Sequence, residues 1–235
     1  MAVLFDAATI SAQFTTTPDP FTLSHTPAGT PRGVVAFCWS MNSGTDNSFD
    51  GAVTYGGVAM ARPTNGFAGD VTAEPISVAQ YFLGSGVPTG TQTLSVAHTA
   101  AASPKYIAAV TLTAAANLEV LDSDAVGSTG TNPQLTLDSG AVTAIRLIAC
   151  AHGASNVGDL TVISGTTSMV TADAGARVLV SGRQTTPGSG STTVGWTALS
   201  EDRAIVGMAI AEVAGAVTGR PVRRRRSSWP ISLGA

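Results

Sequence analysis

This chain of 235 residues contains four apolar segments of nine or ten residues, and they limit its possible folds more than any other feature of the sequence. They are residues 32–41, 105–113, 144–152 and 204–213. Each is apolar at nearly every position, which is the pattern of a strand buried on both faces. None approaches the roughly 18 consecutive apolar residues of a membrane-spanning helix. The pattern predicts four buried strands and no membrane span.

The composition favours a fold made of strands and turns. Only 11% of the residues are charged and 6% are aromatic, while the chain contains 26 glycines and 12 prolines. Helical periodicity is not sustained over ten residues anywhere, and no short period recurs. We therefore predict an all-β fold: a single two-sheet antiparallel sandwich, jelly-roll-like, over residues 1–215. The long apolar segments would be central strands and the amphipathic segments edge strands.

The segment 30–63 shows the expected local structure most clearly. The apolar run 32–41 is followed by a polar loop at 42–51. Residues 53–55 and 58–61 then flank Gly56-Gly57, and two glycines accept the positive φ angles of a tight hairpin turn. The sequence predicts a central strand with an associated hairpin.

Three polar segments are candidate binding loops: 42–51, 65–74 and 127–133. Their polar side chains could contact a ligand, although Asp and Asn also populate loops because they bond to the local backbone. Between the last two loops, residues 114–121 are predicted to form an irregular turn or a short edge strand. The candidate binding residues are Asp46, Asn47, Asp50, Asn65, Asp70 and Asn132.

No pattern in the sequence predicts a metal site or a cofactor. The three histidines, His25, His98 and His152, lie far apart without ligand spacing. The loop 45–51 places two carboxylates and an amide close together, as a calcium loop does, but it lacks the full acidic pattern and the terminal glutamate of an EF-hand.

Enzymatic motifs are also missing. There is no G-x-S-x-G nucleophile elbow and no phosphate-binding G-x-x-x-x-G-K-[ST] loop, and the chain has a single lysine. A hydrolase of polyhydroxylated substrates would need two carboxylates that converge in a groove, and Glu119, Glu201 and Glu212 cannot be paired from sequence. We expect a protein without enzymatic activity.

The two cysteines, Cys38 and Cys150, each lie inside a long apolar segment. This favours buried free thiols in a reducing compartment. A disulfide between two neighbouring strands is the alternative.

The charge distribution separates the chain into an acidic body and a basic tail. Residues 1–219 contain seven Lys and Arg against fifteen Asp and Glu, a balance of −8, whereas residues 220–235 contain five Arg and no acid. A nucleic-acid binder usually carries a basic stripe on its folded face, so nucleic acid is not an expected partner. The start of the chain lacks the basic region of a signal peptide, and we expect synthesis in a cytosol.

The tail carries the most specific functional signal. Four consecutive arginines repel one another and two prolines oppose regular structure, so residues 216–235 predict an extended basic arm. Arginine pairs with carboxylates and the apolar residues could fill pockets, which suggests an arm that docks on neighbouring subunits. The alternative is a solvated basic tail. The docking residues would be Arg220, Arg223, Arg224, Arg225, Arg226, Trp229, Ile231 and Leu233.

Four segments resemble a group of tailed-bacteriophage virion proteins, described as minor structural, decoration or tail proteins. They are TLSHTPAGTPRGVVAFCW (22–39), VTYGGVAMAR (53–62), YFLGSGVPTGTQTLSV (81–96) and AIVGMAIAEVAG (204–215). The resemblance covers residues 1–215, and the basic tail extends beyond the usual ending of the group. It implies a virion β-sandwich and carries no catalytic residues.

The expected function is therefore structural and non-enzymatic. The chain would decorate or cement the capsid, or form part of the neck or tail, in a virion assembled in the host cytoplasm. Expected partners are copies of itself and other virion proteins, namely the major capsid, portal, neck or tail proteins, and no membrane. The alternative is a module on a head or tail fibre that binds a carbohydrate, such as a surface glycan, or a host receptor.

Overall fold

The structure, a computed structural model, describes most of the chain up to Val213. The described residues are 2–14, 19–41, 49, 51–70, 75–98, 105–130, 132–153, 157–173, 177–198 and 201–213, with the backbone alone for 128–130 and 157.

Nine strands form the first half of the described chain. They are β1 (Leu4–Ile10), β2 (Phe21–His25), β3 (Gly33–Ser40), β4 (Val53–Tyr55), β5 (Val58–Ala59), β6 (Phe67–Asp70), β7 (Ile76–Leu83), β8 (Gln92–Val96) and β9 (Lys105–Thr113).

Eight strands and one short 3-10 turn (Val157–Asp159) form the second half. The strands are β10 (Leu118–Gly130), β11 (Gln134–Asp138), β12 (Ile145–His152), β13 (Thr161–Val162), β14 (Thr166–Asp173), β15 (Val178–Gln184), β16 (Ser191–Thr197) and β17 (Glu201–Glu212). No α-helix occurs among the described residues.

These strands make two large and two small sheets. The large sheets have the orders β1-β9-β3-β7-β6 and β10-β17-β12-β15-β14, and the small sheets have the orders β2-β8-β4-β5 and β11-β16-β13. Every strand pairing in the described part of the chain is antiparallel. The predicted all-β antiparallel sandwich is confirmed.

The sheet orders reveal an internal repeat that we did not predict. Each half contains a five-stranded and a smaller sheet with the same connectivity, which is that of a jelly roll. The register agrees, since Cys38 lies opposite Ile107 in the first half and Cys150 lies opposite Ile205 in the second. The first strand of each half, β1 or β10, also carries a β-bulge at the equivalent position, next to Phe5 in β1 and next to Val120 in β10. The jelly roll therefore occurs twice in tandem.

The two large sheets face each other in the middle of the molecule, and each carries its small sheet on the outer side. Strand β3 illustrates the consequence: Val35, Phe37 and Trp39 enter the core between the large sheets, which we call the middle core. Its intervening residues, such as Cys38, enter the outer core of the first half. Both faces of the strand are buried, as its apolar sequence predicts.

The four long apolar segments become β3, β9, β12 and β17, all central strands of the large sheets. The middle core takes residues from both halves, including Val110, Leu147 and Met208. A third core, which contains Cys150 and Trp196, fills the second jelly roll. Four sheets and three cores thus form one continuous stack.

Hydrogen bonds also cross between the two halves. The buried Trp39 Nε1 donates to the Cys150 carbonyl at 3.1 Å. Gln80 is fully buried, and its Nε2 donates to the Gly207 carbonyl at 2.9 Å. Both hydrogen bonds would be lost if the halves separated, so they favour the state in which the halves stay together.

Strands β6 and β10 run side by side at one edge of the middle core. Asn65 Nδ2 donates to the Ser123 carbonyl at 2.7 Å, and the backbones of Gly69 and Gly127 approach each other four residues further along both strands. The two strands therefore point in the same direction. A Cβ atom on Gly127 would lie 2.1 Å from the Gly69 carbonyl oxygen, so this approach requires glycine.

This orientation gives the molecule two distinct ends. The base contains the start of β1 and β10 and the end of β9 and β17, where Leu4 lies opposite Thr113 and Leu118 opposite Glu212. The tip contains the other ends of the large-sheet strands, where Lys105 lies opposite Ser40. The repeat places equivalent connections of both jelly rolls at the same end.

Two sequence predictions need correction. Residues 118–130 form one thirteen-residue strand, β10, rather than an edge piece followed by a loop that begins at residue 127. The polar segment 65–74 contains strand β6 at Phe67–Asp70. Gly69, Asp70 and Gly127 have low strand propensity, but the close approach of β6 and β10 favours glycine there, so tertiary packing overrides local preference.

We predict that Gly127→Ala destabilises the protein by about 1–3 kcal/mol, because the added methyl group meets backbone that cannot move aside. Gly188→Ala is the matched control, since its Cβ would meet only the Gln184 amide at 3.5 Å. Chemical denaturation measures both. Equal stability of the two variants would contradict the close packing of β6 on β10.

Candidate functional site

Most of the predicted site residues lie outside the described part of the chain. This applies to the whole proposed docking set, Arg220, Arg223 to Arg226, Trp229, Ile231 and Leu233, and to Asp46, Asn47 and Asp50. The structure places the remaining three, Asn65, Asp70 and Asn132.

Asn65 lies at the rim of a polar groove between the β5–β6 connection and β10. Its side-chain amide donates to the Ser123 carbonyl, and its own carbonyl accepts from Gln80 Nε2 at 3.2 Å. Across the groove, Asp122 accepts a hydrogen bond from the Asp138 backbone N–H at 2.8 Å. The groove has a volume of about 420 Å³ and is lined by Pro63, Thr64, Asn65, Val120, Leu121, Asp122 and Ser123.

Asp70 and Asn132 do not join Asn65 in one site. Asp70 ends β6 and is 4% exposed, so its carboxylate is buried rather than presented on a loop. Asn132 is exposed, and its carbonyl accepts from the Arg203 guanidinium. Asn65 contacts Ser123 while Asn132 follows the end of β10 at Gly130, which is about 23 Å further along the strand.

His25 belongs to a buried polar cluster near the base of the first jelly roll. Its Nδ1 lies 2.8 Å from Thr9 Oγ1 and its Nε2 lies 3.2 Å from Thr111 Oγ1. The Thr111 hydroxyl donates to Asp6 at 2.8 Å, so it accepts from His25. This places the imidazole proton on Nε2 and leaves Nδ1 to accept from Thr9.

The order of these groups does not make a nucleophile. In a catalytic triad the imidazole lies between the carboxylate and the hydroxyl, whereas here the Thr111 hydroxyl lies between Asp6 and His25. Asp6 also accepts backbone hydrogen bonds from Ala28 and Gly29. Burial lowers the pKa of His25, although the negative charge of Asp6 opposes this shift. The cluster is therefore a satisfied network around a neutral imidazole.

The second jelly roll has no such cluster at the equivalent place. Leu137 corresponds to His25, because each lies thirteen residues before the equivalent cysteine, and Ala209 corresponds to Thr111 by register. Apolar residues can thus fill this position in the same fold. The polar cluster is a feature of the first half and not a requirement of the jelly roll.

The second half contains a different buried charge, Arg146. Its guanidinium is fully buried in β12 and donates to Gln184 Oε1 at 2.9 Å and to Ser139 Oγ at 2.8 Å. Burial lowers the pKa of Arg146, and the charges of Asp138 and Asp122 oppose this. Further acceptors are the carbonyls of Leu137, Ala144, Gly188 and Gly190.

We did not single out Arg146 from the sequence. The available signal was an arginine inside the apolar segment 144–152, because a charge in a buried strand requires a dedicated set of partners. Its hydrogen bonds connect β12 to the turns around residues 139 and 188–190. This is a structural role.

The single lysine, Lys105, is buried at the tip of the first half. Its Nζ lies 3.1 Å from His98 Nδ1, 5.1 Å from the centre of the Phe21 ring and 5.6 Å from that of Phe49. The imidazole of His98 stacks on Phe21 with the ring centres 4.3 Å apart. Aromatic faces attract a cation, so this cage holds the ammonium group where β9 begins.

The remaining candidates give no metal or redox site. His152 is fully buried in β12, and the described residues contain no group of three or more metal-ligating side chains. Cys38 and Cys150 are free thiols that lie in the two outer cores, on opposite sides of the middle core. The alternative of a disulfide between them is therefore wrong. Burial raises the pKa of both thiols.

Among the described residues, no helix has the length and apolar character needed to cross a membrane. Comparison with models of known protein families, with curated protein sequences and with solved structures finds no match to this chain.

We predict that the stability of the protein falls as the pH drops below about 6.5, partly because of His25. Its pKa is lower in the folded chain than in the unfolded chain, so the unfolded chain binds the proton first. Well above pH 6.5, His25 is neutral in both the folded and the unfolded chain, so its protonation does not reduce the stability. His25→Gln should flatten the dependence by at most about 1.4 kcal/mol per pH unit. Urea unfolding between pH 5 and 7 measures it, and identical slopes for both proteins would contradict the assignment.

We also predict that neither cysteine reacts with a thiol reagent in the native protein. Both side chains are fully buried and their raised pKa values disfavour the thiolate. Both thiols should react after unfolding in denaturant, without prior reduction. A thiol that reacts rapidly in the native protein would show that one outer core is open.

Proposed function

We propose that this chain is a non-enzymatic structural protein of a bacteriophage virion. It decorates or cements the capsid, or forms part of the neck or tail, and its arginine-rich C-terminal arm docks on neighbouring subunits. The resemblance of residues 1–215 to virion proteins supports the viral context. The geometry of the base, from which the chain continues into the arm, carries the structural argument.

The base is suited to attachment. The last described residue, Val213, donates its N–H to the Asn117 carbonyl at 2.8 Å, so the described chain ends beside the connection between the two jelly rolls. The start of β1 lies at the same end. A protein attached at its base would present its tip, and therefore equivalent connections of both jelly rolls, away from the attachment surface.

The outer faces of the small sheets support contact with neighbours. Thr22, Ser95 and Thr54 are cross-strand neighbours in one small sheet, and Thr136 and Thr193 share a 2.7 Å hydrogen bond in the other. Neither sheet carries a charged side chain except Asp138. The cores of protein interfaces are depleted in charge, so these faces suit close contact with copies of the chain.

The polar clusters of the described residues support a role without catalysis. Within each of the two clusters, one around His25 and one around Arg146, the polar groups form hydrogen bonds with one another or with the backbone. Both of these side chains are buried. A catalytic group must reach a substrate within hydrogen-bond distance. These clusters contribute to stability instead.

A second candidate function is binding of a carbohydrate, and the groove at Asn65 favours it. The groove combines an amide, a carboxylate and a hydroxyl, the groups that bond to sugars, and its volume is within the usual range of about 300–1,000 Å³ for ligand sites. Binding on a glycan array that Asp122→Ala abolishes would support this function. Absence of glycan binding, together with normal incorporation into particles, would leave the structural role alone.

We predict that deletion of residues 220–235 abolishes incorporation into particles while the rest of the chain stays folded. The arm would supply five arginines, which pair with carboxylates, and three apolar anchors. Quantitative electrophoresis of purified particles measures incorporation, and circular dichroism measures folding.

The matched control is Ser227→Ala with Ser228→Ala, which keeps every arginine and anchor of the arm. This variant should incorporate normally. Normal incorporation of the truncated chain would overturn the proposed role of the arm.

A further inference from the structure

We propose that an apolar groove at the base is the receptor for the segment Trp229–Leu233 of a neighbouring copy. This inference rests on the proposed function, because it names the site on which the arm docks. It extends that function by predicting a reciprocal exchange of arms between two chains.

The base groove lies between the start of β1 and the end of β9. Its volume is about 260 Å³, which is below the usual size of a small-molecule site and suits one or two side chains. The groove is lined by Ala2, Leu4, Thr113, Ala114 and Ala115.

Two large apolar side chains at the base are exposed. Leu4 is 53% exposed and lines the groove, and Val213 is 39% exposed where the described chain ends. Single exposed apolar residues are common, but here an exposed leucine, an apolar groove and the last described residue before the arm occur at the same end. Covering Leu4 would remove apolar surface from water.

Strand β1 also offers an open edge. It pairs with β9 on one side, and no other strand pairs with it among the described residues. An exposed edge can accept an extended segment as an additional strand, with alternate side chains entering pockets. Trp229, Ile231 and Leu233 alternate in this way, and Pro230 between them is tolerated in an edge strand.

The length of the arm allows it to reach another copy. Fifteen residues, 214–228, separate Val213 from Trp229, and an extended chain of this length spans about 50 Å. Two copies that meet base to base could each place their arm in the groove of the other. A two-fold arrangement of this kind is closed, because each chain gives and receives one arm.

The charges at the base suit the arginines that precede the apolar segment. Glu212 accepts a hydrogen bond from the backbone N–H of Ala115, a groove residue, at 2.6 Å. This hydrogen bond and the positive N-terminal amino group lower the pKa of Glu212, so the carboxylate stays charged. Leu118 lies opposite Glu212 in the sheet, and Glu119 is the next residue of β10. The arginines of the arm would therefore meet two carboxylates at the base, one on each face of the sheet, and Glu212 also interacts with the N-terminal amino group.

The pairing is tested with a peptide of residues 220–235 and a full-length receptor that carries Trp229→Ser, Ile231→Ser and Leu233→Ser. We expect binding by titration calorimetry. Adding Leu4→Lys or Ala115→Arg to the receptor should weaken it about tenfold or more, because each places a positive charge in the apolar groove and repels the arginines of the peptide. Val162→Lys, at an exposed valine in a small sheet, is the matched control.

Absence of peptide binding, or equal binding by all receptors, would overturn the assignment of the groove. Two independent groove variants are used so that misfolding of one, seen by circular dichroism, does not decide the result.

The exchange between copies is tested by sedimentation of the unmodified chain. We expect a concentration-dependent dimer that Leu4→Lys converts to a monomer. A chain that remains monomeric at every concentration while the peptide still binds would show that each arm occupies its own groove, which overturns the exchange.

The two proposals fail in different experiments. If the peptide does not bind but deletion of 220–235 still prevents incorporation into particles, the arm docks on another virion protein and only this inference is wrong. If the peptide binds but the deletion leaves incorporation intact, the proposed function is wrong and the groove assignment stands.

Discussion

The middle core between the two large sheets holds the two halves of the molecule together. Each large sheet is covered on both faces, by the opposite large sheet and by its own small sheet, so its central strands must be apolar throughout. At least twenty-two buried residues of the described chain belong to this core. Even at about 1 kcal/mol each, exposing them would exceed the 5–15 kcal/mol by which a typical domain is stable. The two jelly rolls are therefore mutually dependent.

Much of the fold could be predicted because burial leaves a direct mark on the sequence. The strand β9 was predicted with the observed bounds, and the hairpin at Gly56-Gly57 follows from glycines that adopt positive φ angles. The repeat was not predicted because the two halves have little sequence similarity. Cys38 and Cys150 occupy equivalent positions in the two jelly rolls, but few of the residues around them are identical. Strand β6 was missed because contact with β10, and not local propensity, determines it.

The candidate site was less predictable, since it depends on contacts between distant residues. Nothing in the sequence brings Asp6, Thr111 and His25 together, and Arg146 finds its partners on turns up to 44 residues away. The repeat provides an internal comparison here, because each jelly roll buries a different polar cluster near its base. The predicted arm remains a prediction, and the structure adds the groove, the open edge of β1 and the position of Val213, where the described chain ends.

The most direct test of this account is differential scanning calorimetry of the full chain. If the middle core makes the two jelly rolls mutually dependent, the protein unfolds in a single transition whose calorimetric enthalpy equals its van't Hoff enthalpy. Two resolved transitions, each with part of the total enthalpy, would show that the jelly rolls fold independently and would contradict the central role of the shared core.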